Sequence, residues 1–239
     1  MPDNCIDLTV TSPPYDDLRK YNGYLFDFEG VAQQLYRVTK TGGAVVWVVG
    51  DSVQKGSETL NSFTQALYFK EFGFNVHDTM IFVKSTSPFP EQNRYNQKFE
   101  YMFVFTKGKP TTSNLQKEIA HSNLSRIGKR DGGYRQQDGS IEAGKYDSRK
   151  KEKTKGNVWY YPVGMNCTTK DKFAFQHPAM FPEQLAHDHI LSWSNEGDLV
   201  FDPMCGSGTT LKMAKKLGRN YLGIDISEEY CEISRRRVD

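Results

Sequence analysis

The segment that most constrains the fold of this chain is a glycine turn between an apolar run and a helix-like stretch. The run Leu199-Val200-Phe201 leads directly into Asp-Pro-Met-Cys-Gly-Ser-Gly-Thr-Thr at residues 202–210. A strand that ends in such a turn and enters a helix directs backbone N–H groups and hydroxyls at one ligand. The glycines allow positive φ and close approach of the ligand to the backbone. The segment therefore predicts an α/β fold with a ligand site at this turn.

Strands alternate with helices along most of the chain, which is typical of an α/β fold with a largely parallel sheet. We expect Thr41-Gly42-Gly43 to end the first helix as a glycine C-cap. Strands are predicted at residues 5–10, 44–49, 75–83, 99–105, 199–201 and 220–226, and helices at residues 25–40, 57–72, 183–193, 209–217 and 228–237.

The net charge of +2 conceals a strongly basic segment at residues 107–155. This segment holds 13 Lys and Arg against 6 Asp and Glu, whereas the rest of the chain holds 18 basic and 23 acidic residues. Hydrophobic periodicity also disappears there, which indicates a loop-rich insertion. A basic insertion in a neutral-to-acidic body fits either a site for a polyanion or a solvated surface loop.

The composition excludes several classes of protein. With 37% hydrophobic residues the chain can bury a core, so it is not of a disordered class. No apolar run reaches the roughly 20 residues of a membrane span, and no secretory signal opens the chain. The four cysteines form no Cys-x-x-Cys pair, which argues against structural zinc and a disulfide scaffold. We therefore expect a cytoplasmic protein with no metal site and no membrane contact.

An acidic residue follows the glycine turn at the end of the next predicted strand. This residue, Asp225, lies where a carboxylate commonly accepts both hydroxyls of a ribose. A dinucleotide site would need a third glycine, but Gly206 and Gly208 are followed by Thr209-Thr210-Leu211. A Walker loop would need Gly-Lys-Ser/Thr, and no lysine follows Gly208. The predicted ligand is an adenosine compound without a phosphate chain.

A second loop, Thr11-Ser12-Pro13-Pro14-Tyr15, closes the first predicted strand. Its consecutive prolines hold φ near −65° and stiffen the loop. On its own the loop also fits a proline turn in which Tyr15 only packs. Its last four residues resemble the Asp/Asn/Ser-Pro-Pro-Tyr/Phe loop of DNA amino-methyltransferases, which methylate N6 of adenine or N4 of cytosine.

The resemblance implies a direct methyl transfer. An exocyclic amine is a poor nucleophile because its lone pair is delocalised into the ring of the base. Under the resemblance, Ser12 Oγ and the Pro13 carbonyl accept the amine hydrogens, and Tyr15 stacks on the flipped base. Rigid placement serves an in-line displacement at a sulfonium methyl group, so Ser12, Pro13, Pro14 and Tyr15 are the expected catalytic residues. A cytosine-C5 methyltransferase would show a Pro-Cys nucleophile, and no cysteine here follows a proline.

The order of segments is similar to that of the β class of these enzymes, with the Pro-Pro-Tyr loop first, the basic insertion next and the glycine loop last. The resemblance implies a Rossmann-like methyltransferase fold with helices on both faces of the sheet. Its parts would be a catalytic half at 1–106, a target-recognition insertion at 107–156 and an S-adenosylmethionine-binding half at 157–239. The expected cofactor residues are Thr11, His177, Pro178, Phe181, Asp202, Pro203, Met204, Cys205, Gly206, Ser207, Gly208, Thr209, Thr210 and Asp225.

The same resemblance implies double-stranded DNA as the partner, in a prokaryote or a phage, with a homodimer and a cognate restriction endonuclease as further expected partners.

Ser12 in place of Asp favours cytosine N4, and adenine N6 stays open. RNA and protein-amide methyltransferases generally carry the glycine loop first, so the order opposes them. A decayed nucleic-acid-binding module is opposed by the intact loops. The residues expected to contact DNA phosphates are Lys107, Lys129, Arg130, Arg135, Arg149 and Lys150.

Overall fold

The computed structural model describes residues 1–14, 26–86, 93–119, 133–143 and 152–239. The chain forms two compact units, one of Met1–Asn114 with Asn157–Asp239 and one of Leu115–Gly156. The smaller unit starts later than the expected insertion because the Thr111 amide donates to the Gly42 carbonyl at 3.0 Å and ties its segment to the larger unit. No helix in these described ranges is long and apolar enough to cross a membrane.

Strands and helices alternate along the larger unit, as predicted. In chain order the elements are β1 (Ile6–Thr11), α1 (Phe28–Val38), β2 (Thr39–Val49), β3 (Val53–Gln54), β4 (Ser57–Glu58), α2 (Asn61–Phe72), β5 (Asn75–Lys84), β6 (Phe99–Thr106), β7 (Lys117–Ile119), β8 (Gly133–Arg135), β9 (Ile141–Ala143), β10 (Glu152–Thr154), β11 (Val158–Tyr161), a 3-10 helix (Lys172–Gln176), α3 (Glu183–Trp193), β12 (Leu199–Asp202), α4 (Thr209–Lys216), β13 (Asn220–Gly223) and α5 (Glu228–Val238).

The larger unit is built on one seven-stranded sheet of order β11-β5-β6-β2-β1-β12-β13. Leu8 of β1 pairs in parallel with Ala44 of β2 on one side and Val200 of β12 on the other. In this sheet β6 runs antiparallel to its neighbours β2 and β5, and the other pairings are parallel. The prediction of a mostly parallel central sheet is therefore confirmed.

Helices cover both faces of this sheet. Side chains alternate between the two faces along a strand, so consecutive residues of β2 enter different cores. Val46 packs in a cluster with Leu185 and Ile190 of α3. Trp47, the next residue, packs in a second cluster with Phe69 of α2. Two helical layers around one sheet confirm the predicted Rossmann-like architecture.

The sheet places the two sequence motifs side by side. From β1 the chain passes through α1 to β2, and from β12 it passes through α4 to β13 on the other side. Adjacent parallel strands whose connections diverge create a crevice outside their carboxyl ends, where ligands of open α/β sheets bind. β1 ends at Thr11 and β12 ends at Asp202, and the Thr11 Oγ1 donates to Asp202 Oδ1 at 2.7 Å. The Ser-Pro-Pro loop and the glycine loop both begin at this crevice.

Several predicted boundaries were wrong. The first helix ends at Val38 rather than at residues 41–43, which lie inside β2. The Gly42 amide donates to the Lys107 carbonyl at 2.7 Å, so long-range pairing overrides the expected C-cap. The second helix begins at Asn61, because β3 and β4 form a small hairpin over the preceding residues. The final strand ends at Gly223, and a 3-10 helix that the sequence analysis missed precedes α3.

The smaller unit contains short antiparallel pairs in its described residues. β7 pairs with β10, and β8 pairs with β9. The turn between β8 and β9 is closed by the Gln136 amide, which donates to the Ser140 carbonyl at 2.8 Å. The segment that lost hydrophobic periodicity thus holds only strands of three residues in its described part.

Candidate active site

The loops that follow β1 and β12 line one cavity of about 1230 Å³. Ser12, Pro13 and Pro14 contribute from the first loop, and residues 202–207 and 209 contribute from the second. The structure therefore brings together two motifs that are about 190 residues apart in the sequence. A cavity that both loops share has room for a cofactor at one loop and an acceptor at the other.

The glycine loop depends on two glycines with positive φ. Gly206 has φ +49°, and a Cβ built there would lie 2.7 Å from His177 Nε2. Gly208 has φ +79°, and its Cβ would lie 2.4 Å from Ser234 Oγ. Side chains at these positions would be both strained and obstructed. The geometry thus accounts for both glycines of the motif and leaves the turn open toward the cavity.

Asp225 fastens the glycine loop to the strand beside it. Its Oδ2 accepts the Gly206 amide at 2.8 Å, and its Oδ1 accepts the Ser227 amide at 2.9 Å. Each carboxylate oxygen has a further acceptor site. The half-buried side chain also lines the cavity, so it can accept hydroxyls from a bound ribose.

An aromatic wall stands next to Asp225. The rings of His177 and Tyr230 meet edge to face, with centroids 4.4 Å apart and an interplanar angle of 72°. The His177 Nδ1 accepts the Ala179 amide at 3.2 Å, which fixes the orientation of its ring. Met204, Phe181 and Ile226 line the same cavity. Apolar walls beside a ribose acceptor suit the adenosine part of a ligand.

A family model described as DNA methylase, for the N6- and N4-methylating enzymes, matches residues 6–236. The chain belongs to the N6/N4 DNA methylase family. The orphan methyltransferase M.BamHII of Bacillus amyloliquefaciens is 59% identical over 99% of this chain and 89% of that protein. The Type II methyltransferase M.BglII of Bacillus subtilis is 28% identical over 98% of this chain, which spans 64% of that relative.

Solved structures share the fold of this N6/N4 DNA methylase. The PvuII DNA methyltransferase (cytosine-N4-specific) superposes with a TM-score of 0.69 at 19% identity, over 99% of this chain and 80% of that chain. The S-adenosylmethionine complex of a Thermus thermophilus protein gives a TM-score of 0.63 at 22% identity, over 100% of this chain and 87% of that chain. The chain is an S-adenosylmethionine-dependent DNA methyltransferase, and the resemblance noted from its motifs is confirmed.

Four of the expected cofactor residues lie outside the cavity lining. The four that do not line the cavity are Thr11, Pro178, Gly208 and Thr210. The other expected cofactor residues, from His177 to Asp225, line it. Thr11 instead binds Asp202, and the Thr210 Oγ1 donates to the Val10 carbonyl at 2.9 Å. Thr11 therefore joins β1 to β12, and Thr210 joins β1 to α4.

Asp202 is a buried carboxyl group at the floor of the cavity. Burial raises its pKa to about 6, although hydrogen bonds from Thr11 and the Met204 amide favour the charged form. The nearby carboxylate of Asp225 raises the pKa further. Asp202 thus links the ends of β1 and β12 and titrates close to neutral pH.

The raised pKa of Asp202 predicts a pH-dependent contribution to stability. The native state holds this proton more tightly than the unfolded state, so the contribution is fully present below the unfolded pKa and is lost as pH rises through about 6. Asp202→Asn keeps an acceptor for Thr11 but does not titrate. We expect the wild type to lose about 2 kcal/mol of unfolding free energy relative to Asp202→Asn between about pH 4 and pH 7. Urea unfolding across this range measures the difference, and parallel pH profiles would contradict it.

Arg237 of α5 supports the glycine loop from beneath. Its side chain is fully buried, and its Nη1 donates at 3.0 Å to the Ser207 carbonyl, the Ser207 Oγ and the Thr209 Oγ1. These bonds hold the loop at the residues between and just after its two glycines. From the sequence, Arg237 was predicted only as the last residue of the final helix. The signal was its position four residues after Ile233, which is on the buried face of α5.

Two carboxylates hold Arg237 in place. The Nη2 donates to Glu183 Oε1 at 2.7 Å, and the Nε donates to Asp171 Oδ2 at 3.0 Å. Lys212 bridges the same two oxygens at 2.8 and 2.7 Å. Burial alone would raise the pKa of Asp171 and Glu183, but hydrogen bonds from Lys212 and Arg237 reverse the direction and lower both. The network therefore balances two cations with two carboxylates.

The expected DNA-contacting residues fall in different places. Lys107 follows β6, at the edge of the sheet opposite the cavity, and its Nζ donates to Asn4 Oδ1, the Tyr36 carbonyl and the Thr39 carbonyl at 2.7–3.0 Å. In this geometry the Lys107 ammonium donates to groups of the protein itself. Arg135 is exposed on β8 in the smaller unit. The expected residues that lie outside the described residues are Tyr15, Lys129, Arg130, Arg149 and Lys150.

No group of three or more His, Cys, Asp or Glu side chains that could hold a metal occurs among the residues that the structure describes. The four cysteines are free thiols, and Cys205 is buried in the glycine loop. Burial raises the pKa of the Cys205 thiol, and the charge of Asp202 adds to the effect. Cys205 is therefore a neutral packing residue of the turn.

Proposed function

We propose that this chain transfers the methyl group of S-adenosylmethionine to the exocyclic N4 amine of a cytosine in double-stranded DNA. The observation that carries the proposal is the single cavity that the Ser12-Pro13-Pro14 loop and the glycine loop both line. The second candidate is adenine N6, because the family contains enzymes of both kinds. Ser12 at the position where the family motif also has Asp favours cytosine.

The cofactor supplies a methyl group activated by its bond to a positively charged sulfur. Asp225 would accept the ribose hydroxyls, and the His177–Tyr230 wall would cover the adenine. Ser12 Oγ and the Pro13 carbonyl would accept the two amine hydrogens and direct the lone pair along the line of displacement. The N–C bond forms as the S–C bond breaks, and the amine then releases one proton. No covalent enzyme intermediate is required.

The acceptor base would leave the helical stack to reach this cavity, since an exocyclic amine inside a duplex is inaccessible to a cofactor held at the glycine loop. Arg135 and the expected basic residues outside the described ranges remain the proposed phosphate contacts, without Lys107. The relative from Bacillus amyloliquefaciens is described as an orphan methyltransferase. Its similarity supports a modification enzyme that acts without a cognate restriction endonuclease. A homodimer stays a prediction.

Removing the charge of Asp225 should weaken cofactor binding. Asp225→Asn keeps the shape of the side chain but removes its charge and replaces one acceptor oxygen with an NH2 donor, so we expect the Kd for S-adenosylmethionine to rise about 10- to 100-fold. Titration calorimetry measures it. Asp3→Asn is the matched control, because Asp3 forms an exposed ion pair with Arg37 outside the cavity. An unchanged Kd in Asp225→Asn would refute the ribose contact.

The acceptor class is tested with methyl-tritiated S-adenosylmethionine and three acceptors, namely duplex DNA of mixed sequence, total RNA and a protein lysate. We expect the label to appear on duplex DNA and to be released by DNase. Label that only RNase or protease releases would overturn the proposal. Absence of both label and cofactor binding would instead support a decayed binding module.

A further inference from the structure

A half-buried ion pair lines the cavity on the side away from the glycine loop. Lys84 is the last residue of β5 and Glu100 is the second residue of β6. The Lys84 Nζ lies 2.5 Å from Glu100 Oε1, and the two side chains are only 24% and 13% exposed. Both side chains line the cavity. Neither residue is among the site residues expected from the sequence.

The sheet topology fixes this pair at the catalytic edge. β5 runs in the same direction as β1, so its last residue lies at the edge where β1 ends. β6 runs the opposite way, so its beginning lies at that same edge, and Phe82 pairs with Glu100 across the two strands. In the strand order β5-β6-β2-β1-β12-β13, the catalytic loop after β1 lies between the ion pair and the cofactor wall at β12 and β13. The pair therefore faces the part of the cavity left for the acceptor.

The surroundings of the pair suit a flat heterocycle. Three aromatic side chains line the cavity together with the ion pair, namely Phe26, Phe82 and Phe99. Aromatic walls supply stacking surface, and a charged pair between them supplies polar contacts to one edge of a ring. The adenosine part of the cofactor would lie on the Asp225 side of the cavity. The Lys84–Glu100 pair on the other side would therefore contact the acceptor rather than the cofactor.

We propose that Lys84, oriented by Glu100, determines the choice of base by donating hydrogen bonds to N3 and O2 of the flipped cytosine. An ammonium has three N–H donors, so the bond to one carboxylate oxygen leaves donors for a ligand. Cytosine presents two adjacent acceptors, N3 and O2, beyond its amine. Adenine presents only N1 there, followed by a C–H. The inference rests on the proposed function and deepens it by naming the residue that selects cytosine.

The test uses Lys84→Met on a duplex that carries the methylation site, mapped beforehand by sequencing plasmid DNA methylated by the wild type. We expect kcat/KM for this duplex to fall about 10- to 100-fold, mostly through KM, with the Kd for S-adenosylmethionine unchanged. Lys84→Arg should recover part of the loss, because it keeps the charge and the donors. Lys40→Met is the matched control. Lys40 pairs with Asp7 at 2.7 Å near the other ends of the strands, and its loss should leave kcat/KM unchanged.

A target nucleotide that lacks O2 completes the test. In the wild type its use should lower kcat/KM by part of the loss that Lys84→Met causes, because the bond to N3 remains. In Lys84→Met it should cause no further loss. If the fold-losses in kcat/KM caused by Lys84→Met and by the missing O2 multiply when the two changes are combined, the contact to O2 is overturned. A rise in the cofactor Kd of Lys84→Met would show a cofactor residue instead. Normal kcat/KM in Lys84→Met, while the wild type methylates cytosine, would overturn this inference and leave the proposed function standing. Methylation of adenine by the wild type, or no DNA methylation, would overturn both.

Discussion

Arg237→Met is expected to lower the free energy of unfolding by about 3–5 kcal/mol, because it leaves the half-buried Asp171 and Glu183 with only Lys212 to balance them. The same change releases the three hydrogen bonds that hold Ser207 and Thr209. A loop freed from this support should bind S-adenosylmethionine weakly. Urea unfolding measures the first effect, and titration calorimetry measures the second.

Arg235→Met on the same helix is the matched control, since Arg235 is exposed and pairs with exposed Glu232. It should cost less than about 1 kcal/mol. If Arg237→Met does not fold, Arg237→Lys replaces it, because lysine keeps the charge but cannot reach all the acceptor oxygens around the guanidinium. Arg237→Lys should then unfold cooperatively and gain less thermal stability from S-adenosylmethionine than the wild type. Equal stability and equal cofactor affinity in either Arg237 variant would contradict the supporting role.

Ser12→Ala is expected to lower kcat about 10²- to 10³-fold while the Kd for S-adenosylmethionine stays unchanged. The loss follows because one of two acceptors that direct the amine lone pair disappears, and the effect of a single preorganised polar group on a transition state has this size. Single-turnover transfer to duplex DNA measures the chemical step separately from product release.

Two further variants sharpen this prediction. Ser12→Asp keeps an acceptor of a kind that the family motif also carries, so it should retain more transfer than Ser12→Ala. Ser57→Ala removes an exposed hydroxyl in the hairpin, outside the cavity lining, and should leave kcat unchanged. A kcat for Ser12→Ala within a few-fold of the wild type would remove Ser12 from the mechanism.

Local chemistry made the two loops predictable. The backbone conformation of each loop requires particular residue types. Positive φ values of +49° and +79° require glycine, and a φ held near −65° favours proline, so short sequence patterns reveal both loops. The strands around them are continuous apolar runs, and the carboxyl ends of parallel strands meet at one edge. The resemblance of both loops to one methyltransferase family therefore predicted a shared site before any contact was known.

Long-range pairing was not predictable in the same way. Whether Lys84 meets Glu100 depends on the register of β5 against β6, which no local pattern specifies. Arg237 sits in a run of three arginines, and only its position four residues after Ile233 distinguishes it from a solvated helix face. Lys107 shows a related difficulty, because its positive charge fits a DNA contact, whereas in the structure it binds backbone carbonyls and the ring of Tyr36. Charge alone does not tell which edge of a sheet a residue will occupy.

The measurement that tests the central claim most directly is mass spectrometry of nucleosides from duplex DNA incubated with the protein and methyl-labelled S-adenosylmethionine. The account predicts that the label appears as N4-methyldeoxycytidine. Label in N6-methyldeoxyadenosine would keep the direct-transfer mechanism and contradict the choice of cytosine. Label in 5-methyldeoxycytidine would contradict the mechanism itself, because transfer to carbon requires a cysteine nucleophile that the Ser12-Pro13-Pro14 loop does not contain.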